Sequence, residues 1–158
     1  MFFISCRSSV GSENNRYAYD QSHSQYNTLI RSILYFHNRH NPFFNSTFAE
    51  IVHIITDFIA ASNKPDPAAY VNCFSDNATV IDEGQTRTGK TSIKNWSDVY
   101  HFAANVTLEP RAVKQSDNGI TVTCKLDGDY DKTGLPDPLL LDYHFSICAG
   151  KITRLSIE

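Results

Sequence analysis

Long apolar runs are missing from this 158-residue chain. No stretch approaches the roughly 20 consecutive apolar residues that cross a bilayer, so neither a transmembrane helix nor a membrane partner is expected. Charge of one sign is missing too: 14 lysines and arginines stand against 17 aspartates and glutamates, a net charge of −3. Nucleic acid and anionic lipid have no bulk electrostatic hold on such a chain, and nucleic acid is not expected as a partner. Cysteine is sparse and scattered, with Cys6, Cys73, Cys124 and Cys148 forming no C-x-x-C pair. That spacing argues against structural zinc and against a disulfide framework, so reduced and mostly buried thiols are expected. The apolar start Met1-Phe2-Phe3-Ile4 ends at Ser5, too short for the core of a signal peptide. A cytoplasmic location is therefore expected, and the Asn-x-Ser/Thr matches at Asn45, Asn77 and Asn105 are read as chance.

What is present suits one globular domain with an extension: 41% of residues are apolar and 12% aromatic. Residues 1–45 are read as a partly disordered extension rich in Ser, Asn, Gln and Tyr. Within it Tyr26, Leu29, Ile30, Ile33 and Leu34 have the spacing of one short amphipathic helix, broken at Asn41-Pro42. The domain proper spans 46–158. Ser46 or Thr47 is placed to cap a first helix, with Glu50 at capping-box distance from Thr47. Ile51, Ile54, Ile55, Phe58 and Ile59 line its apolar stripe, and Pro65 stops it. Asp66 as N-cap and Pro67 at the first helical position open a second helix that turns Tyr70, Val71 and Phe74 inward. A strand over 78–83 precedes a third helix from Thr91 to Phe102, with Ile93, Trp96, Val99 and Tyr100 on its apolar side.

Strands follow. Residues 106–113 lead into an Asp117-Asn118-Gly119 turn, and Ile120, Val122, Cys124 and Leu126 then alternate with polar residues. After a loop over 134–138, Leu139, Leu141, Tyr143, Phe145 and Ile147 alternate again. Ala149-Gly150 makes a two-residue hairpin into Ile152, Leu155 and Ile157. Helices first and antiparallel strands afterwards predict an α+β domain, three N-terminal helices packed on one face of a curved, mainly antiparallel sheet.

Gly84-Gln85-Thr86-Arg87-Thr88-Gly89-Lys90-Thr91 matches the phosphate-binding pattern G-x-x-x-x-G-K-[ST] between a strand and a helix. Three features argue against nucleotide binding. Asp82 and Glu83 put negative charge where polyphosphate would arrive. The strands that follow form an antiparallel meander, and fewer than 70 residues remain to build the β-α-β units of a parallel sheet. The expected structure is a hairpin, with Gly89 in its turn and Thr91 capping the third helix.

The runs Ile59-Ala60-Ala61-Ser62-Asn63 to Asp66 and Tyr70-Val71-Asn72-Cys73-Phe74-Ser75-Asp76-Asn77-Ala78-Thr79-Val80 resemble SnoaL-like proteins of the nuclear transport factor 2-like superfamily. Asp82-Glu83-Gly84, Gly89-Lys90, Ile93 and Trp96 continue the likeness, and Tyr143-His144-Phe145 with Ala149-Gly150-Lys151-Ile152 resembles the last hairpin of that family. The resemblance covers about residues 46–158. It implies a cone-shaped fold in which a strongly bent sheet wraps the long helix and leaves a pocket open at one end. It also implies a choice of activities, since polyketide cyclases, ketosteroid isomerases and pure binding proteins share this fold. The first two remove a proton beside a carbonyl with a carboxylate held in an apolar cavity.

By resemblance to the ketosteroid isomerases, Asp82 takes the position of their catalytic base, after Ala78-Thr79-Val80-Ile81. Strand alternation puts it on the face of Val80, where an apolar cavity would raise its pKa. The alternative is a strand-end aspartate that accepts hairpin N–H groups or pairs with Arg87 or Lys90. Phe58 stands where the isomerases carry a tyrosine, and ungapped counting aligns Asp142 with their second acidic residue. Alternation nevertheless turns Asp142 and His144 outward and Tyr143 inward, as a phenolic donor or as core. Trp96 and Tyr100 are expected as an aromatic wall for a flat ligand, with Phe58 and Phe145 as apolar lining, and His101 as a surface residue near the open end. The expected function is a pocket for a small hydrophobic carbonyl compound, with isomerase or cyclase chemistry on Asp82. The alternative is a non-catalytic binding or dimerisation module. No cofactor and no metal are expected, and a homodimer is expected through the outer sheet face.

Overall fold

The computed structural model describes Thr28, Ile30, residues 45–116 and residues 119–158. Thr28 and Ile30 are helical, and Ile30 is fully buried in the core. The rest of the helix expected over 26–37, the preceding arm, and Asp117-Asn118 of the expected turn lie outside the described residues. The segment before Pro42 thus gives the core at least one side chain.

Helix α1 runs Asn45–Asn63. It begins at Asn45, one residue ahead of the first cap position expected. Its inner stripe buries Val52, Ile54, Ile55, Phe58, Ile59 and Ala61. Asn63 closes it by a two-way bond to the backbone of Leu108: its Nδ2 donates to the carbonyl at 2.9 Å and its Oδ1 accepts from the amide at 2.8 Å. Pro65 prevents continuation, and α2 (Pro67–Asn72) starts as anticipated, with the Asp66 carboxylate accepting from the Ala69 amide at 2.9 Å.

Six strands follow: β1 (Phe74–Asp82), β2 (Gln85–Thr88), β3 (Thr107–Ser116), β4 (Gly119–Asp127), β5 (Leu139–Cys148) and β6 (Lys151–Ile157). They form one sheet in the order β2-β1-β6-β5-β4-β3, in which only β1 and β6 are parallel. The domain is α+β with a mostly antiparallel sheet. The Ala149-Gly150 turn takes positive φ at both residues, as a tight two-residue hairpin requires.

Between β2 and β3 lies α3 (Lys90–Ser97), which passes into a π-helical turn over Asp98–Phe102. The phosphate-loop match is a β1–β2 hairpin, with Val80 opposite Arg87 and Asp82 opposite Gln85. Lys90 pairs with the Asp76 carboxylate at 3.0 Å. Gly89, at φ +83°, is the N-cap of α3, so Thr91 falls inside the helix and does not cap it.

Cys73 and Cys124 are buried thiols, and burial pushes both up to about 12, which makes them inert near neutral pH. Cys148 departs from the expected reduced state, for it is disulfide-bonded. Wide spacing in sequence says nothing of approach in space, which the fold alone decides. Among the described residues no helix is long and apolar enough to cross a membrane.

Candidate functional site

Sheet register decides which side chains meet. Asp82 stands beside Ile157, Ile157 opposite Tyr143, and Tyr143 opposite Val122, so these four form one row across β1, β6, β5 and β4. Tyr143 in that row is buried, while its neighbours Asp142 and His144 turn to the outer face and bond Thr123 and Thr121 there. Strand alternation therefore outranks ungapped counting, and Asp142 stays away from Asp82.

Asp82 is half-buried at the end of β1, and its Oδ2 accepts from the indole Nε1 of buried Trp96 at 3.1 Å. No ion pair reaches this carboxylate among the described residues. Lys90 is committed to Asp76, and Arg87 donates instead to the main-chain oxygens of Asp82 and Gln85, at 3.5 and 3.2 Å. The Arg87 guanidinium lies 5.8 Å from the ring centres of both Trp96 and Tyr100. The indole is thereby held between a cation on its face and a carboxylate at its N–H.

Two phenols lie within electrostatic range of this carboxylate. Tyr70, on α2, and Tyr143 are both buried, and neither hydroxyl has a hydrogen-bond partner among the described residues. Burial pushes both well above the usual tyrosine value. The Cys73 thiol and then the Asp82 carboxylate add to this for Tyr70, while Tyr70, Cys124, Asp82 and Tyr130 do so for Tyr143. Both therefore remain neutral O–H donors at any working pH. Their rings pack on Phe58, which lies 4.7 Å from Tyr70, 6.4 Å from Tyr143 and 5.3 Å from Phe145. Phe58 and Phe145 are thus buried among these rings as apolar packing. Tyr70 carries the phenol that Phe58 lacks, and the sequence pattern marked it only as core.

Two expectations about the third helix need correcting. Tyr100 is 63% exposed and Val99 60% exposed, so Tyr100 forms no wall with Trp96 on the inside. The cause is the π-turn, closed by the Ala103 amide on the Asp98 carbonyl at 3.0 Å, a five-residue step in place of four. One extra residue rotates Tyr100 outward and carries His101 inward. His101, expected on the surface, is buried with its Nε2 at 2.6 Å from Ser62 Oγ.

A hollow of about 260 Å³ lies further along β4 and β5, lined by Lys125, Asp127, Lys132 and Asp137 as well as Leu126 and Tyr130, and by none of the four residues of the row. Leu126 and Leu139 are opposite each other on β4 and β5, on the inward face that also carries Tyr143. Among the described residues no three His, Cys, Asp or Glu side chains come together as metal ligands do.

Compared with models of known protein families and with curated proteins, the sequence finds no match. Solved structures are more informative. A Sinorhizobium meliloti protein described as a polyketide cyclase is 28% identical, covering 67% of this chain and 94% of its own, at a TM-score of 0.60. A nuclear transport factor 2-like protein of unknown function from Cytophaga hutchinsonii is 14% identical, over 66% of this chain and 85% of its own, at 0.54. A Δ5-3-ketosteroid isomerase from Mycobacterium sp. is 14% identical, over 69% of this chain and 92% of its own, at 0.55. The fold is that of the nuclear transport factor 2-like superfamily. The SnoaL-like assignment made from residues 46–158 is supported by the same neighbours.

Within this nuclear transport factor 2-like domain, the buried imidazole has a measurable consequence. Burial holds His101 down at about 4, against 6.5 when exposed. Between those values the unfolded chain takes up a proton that the folded one refuses, so stability is full above pH 6.5 and falls as pH drops towards 4. The expected loss is on the order of 3 kcal/mol at 1.36 kcal/mol per pKa unit. Denaturant titrations across that range should show it, and H101Q should flatten that part of the profile. An identical slope in H101Q would contradict it.

Proposed function

We propose that the protein binds a small hydrophobic carbonyl compound and removes a proton beside the carbonyl, with Asp82 as the base. The observation that carries this reading is the half-buried Asp82 carboxylate, held by Trp96, beside two buried phenols with no hydrogen-bond partner among the described residues. The Trp96 bond occupies Oδ2 and leaves Oδ1 to accept the proton. As the C–H bond breaks, its electron pair enters the enolate and negative charge collects on the carbonyl oxygen. Tyr70 and Tyr143 donate to that oxygen, the arrangement that stabilises an oxyanion in a site excluding water. Return of the proton to another carbon completes an isomerisation; in a cyclisation the enolate carbon attacks a second carbonyl, whose π electrons pass to its oxygen, and that oxygen takes the proton back from Asp82. Neither route calls on a cofactor. Trp96, Phe58 and Phe145 hold the substrate's apolar body, in the cone-shaped arrangement of helices on a bent sheet that the resemblance implies. Tyr100 takes no part in that wall.

A binding module without chemistry is the second reading, favoured by how closely Phe58, Tyr70 and Phe74 fill the interior, each at 0% exposed. One assay separates the two. In D2O the protein should exchange the hydrogens at carbon 1 of 2-tetralone, followed by proton NMR. Asp82→Asn should slow this by roughly 10²- to 10⁴-fold, the span typical of a general base. Tetralone binding without exchange by the wild-type protein would establish the binder and rule out the enzyme.

We also propose a homodimer through the outer sheet face. Leu140 is 46% exposed there, on the face that carries Thr121, Thr123, Asp142 and His144. Sedimentation equilibrium should give twice the chain mass, and Leu140→Lys should shift it towards the monomer. A wild-type monomer would overturn this.

A further inference from the structure

Ser62, near the end of α1, and His101, on the π-turn, form a pair that the proposed chemistry does not use. Their Oγ and Nε2 atoms lie 2.6 Å apart, and both side chains are buried. The imidazole is neutral near pH 7, because burial holds it at about 4, and it carries one N–H. The serine carries one O–H. Two donor hydrogens therefore meet in one shared contact. If Ser62 donates to Nε2, the ring hydrogen sits on Nδ1. If Nε2–H donates to Oγ, the serine hydrogen is left over. Neither Nδ1 nor Oγ has a second hydrogen-bond partner among the described residues. Among the described residues one buried donor is thus unpaired in either tautomer, and such groups are rare enough in folded proteins to need a cause.

The surroundings connect this donor to the Asp82 site. The His101 ring stacks on Tyr70 with centres 5.3 Å apart and planes 27° apart. Phe102 stands edge-on to both, at 5.3 Å from Tyr70 and 5.0 Å from His101. The leftover donor thus shares an aromatic enclosure with a phenol of the site, on the ring face rather than at its hydroxyl. The π-turn brings this about, since a regular helix would not turn His101 inward and Tyr100 outward together.

We propose that the Ser62–His101 pair is a second hydrogen-bonding station of the binding site, which holds an acceptor oxygen of the ligand remote from the oxygen bound by Tyr70 and Tyr143. This rests on the Asp82 site being the ligand site, and it narrows the ligand class to flat apolar molecules with two separated oxygen functions. The pair positions the ligand and transfers no proton.

Three fluorescent phenols test this on the full chain: 2-naphthol, 6-methoxy-2-naphthol and 6-ethyl-2-naphthol. Each offers its phenolic oxygen to Tyr70 and Tyr143, and the last two are nearly the same shape. Only the methoxy compound adds a remote acceptor. The wild-type protein should bind the methoxy compound about fivefold more tightly than the ethyl one, the worth of one ordinary hydrogen bond. The double variant S62A/H101F removes both donors and should bind the methoxy and ethyl compounds equally. Equal wild-type affinities would overturn the proposal, as would a preference that survives in the double variant. If the double variant does not fold, the wild-type ratio decides alone. Failure of wild-type protein to bind any of the three would end the Asp82 reading and this proposal with it, whereas equal binding of the last two ends this proposal only.

Discussion

The indole N–H of Trp96 donates to the Asp82 carboxylate, and this contact joins two parts of the chain that the sheet alone would leave independent. Asp82 ends β1, where the strand turns into the hairpin; Trp96 comes from a helix two turns long. The bond fixes one carboxylate oxygen and so sets where the other stands. Arg87 supports it from behind, its guanidinium over the indole face and its N–H groups on the main chain of the same hairpin. A cation at that position donates to main-chain oxygens and leaves the carboxylate without an ion pair among the described residues.

Around that contact, polar chemistry is concentrated in an otherwise apolar interior. Tyr70, Tyr143, Ser62 and His101 are buried together with Phe58, Phe74 and Phe145. A fold selected for stability alone would fill these positions with apolar side chains, since each unpaired buried donor costs about 1–3 kcal/mol. Donors kept at such a cost are what a site for an oxygen-bearing ligand requires. The comparison structures agree with the frame and leave the chemistry to these residues.

Much of the frame was legible in the sequence because its signals are local. Asp66-Pro67 set the start of α2, Ala149-Gly150 set the last hairpin, and alternation along β5 turned Tyr143 inward and Asp142 outward. What was not legible depends on geometry that no short pattern carries. The π-turn adds one residue to a helical repeat without any distinctive residue, so Val99 and Tyr100 were assigned inward and His101 outward. Tyr70 was read as core, and core it is; the role proposed for it rests on tertiary placement that no short pattern shows. The Trp96–Asp82 bond spans 14 residues and a hairpin, and the disulfide at Cys148 likewise reflects approach in space.

The central proposal is that the hydroxyls of Tyr70 and Tyr143, donors without partners among the described residues, are held for a ligand. Denaturant titration of the double variant Tyr70→Phe/Tyr143→Phe at pH 7 tests it most directly and needs no substrate. Removing an unpaired buried hydroxyl leaves nothing behind to satisfy, so the account predicts stability equal to that of the wild-type protein or higher. A loss of about 2 kcal/mol or more, the sum of two ordinary hydrogen bonds, would show that the hydroxyls are already paired within the fold and would contradict the account.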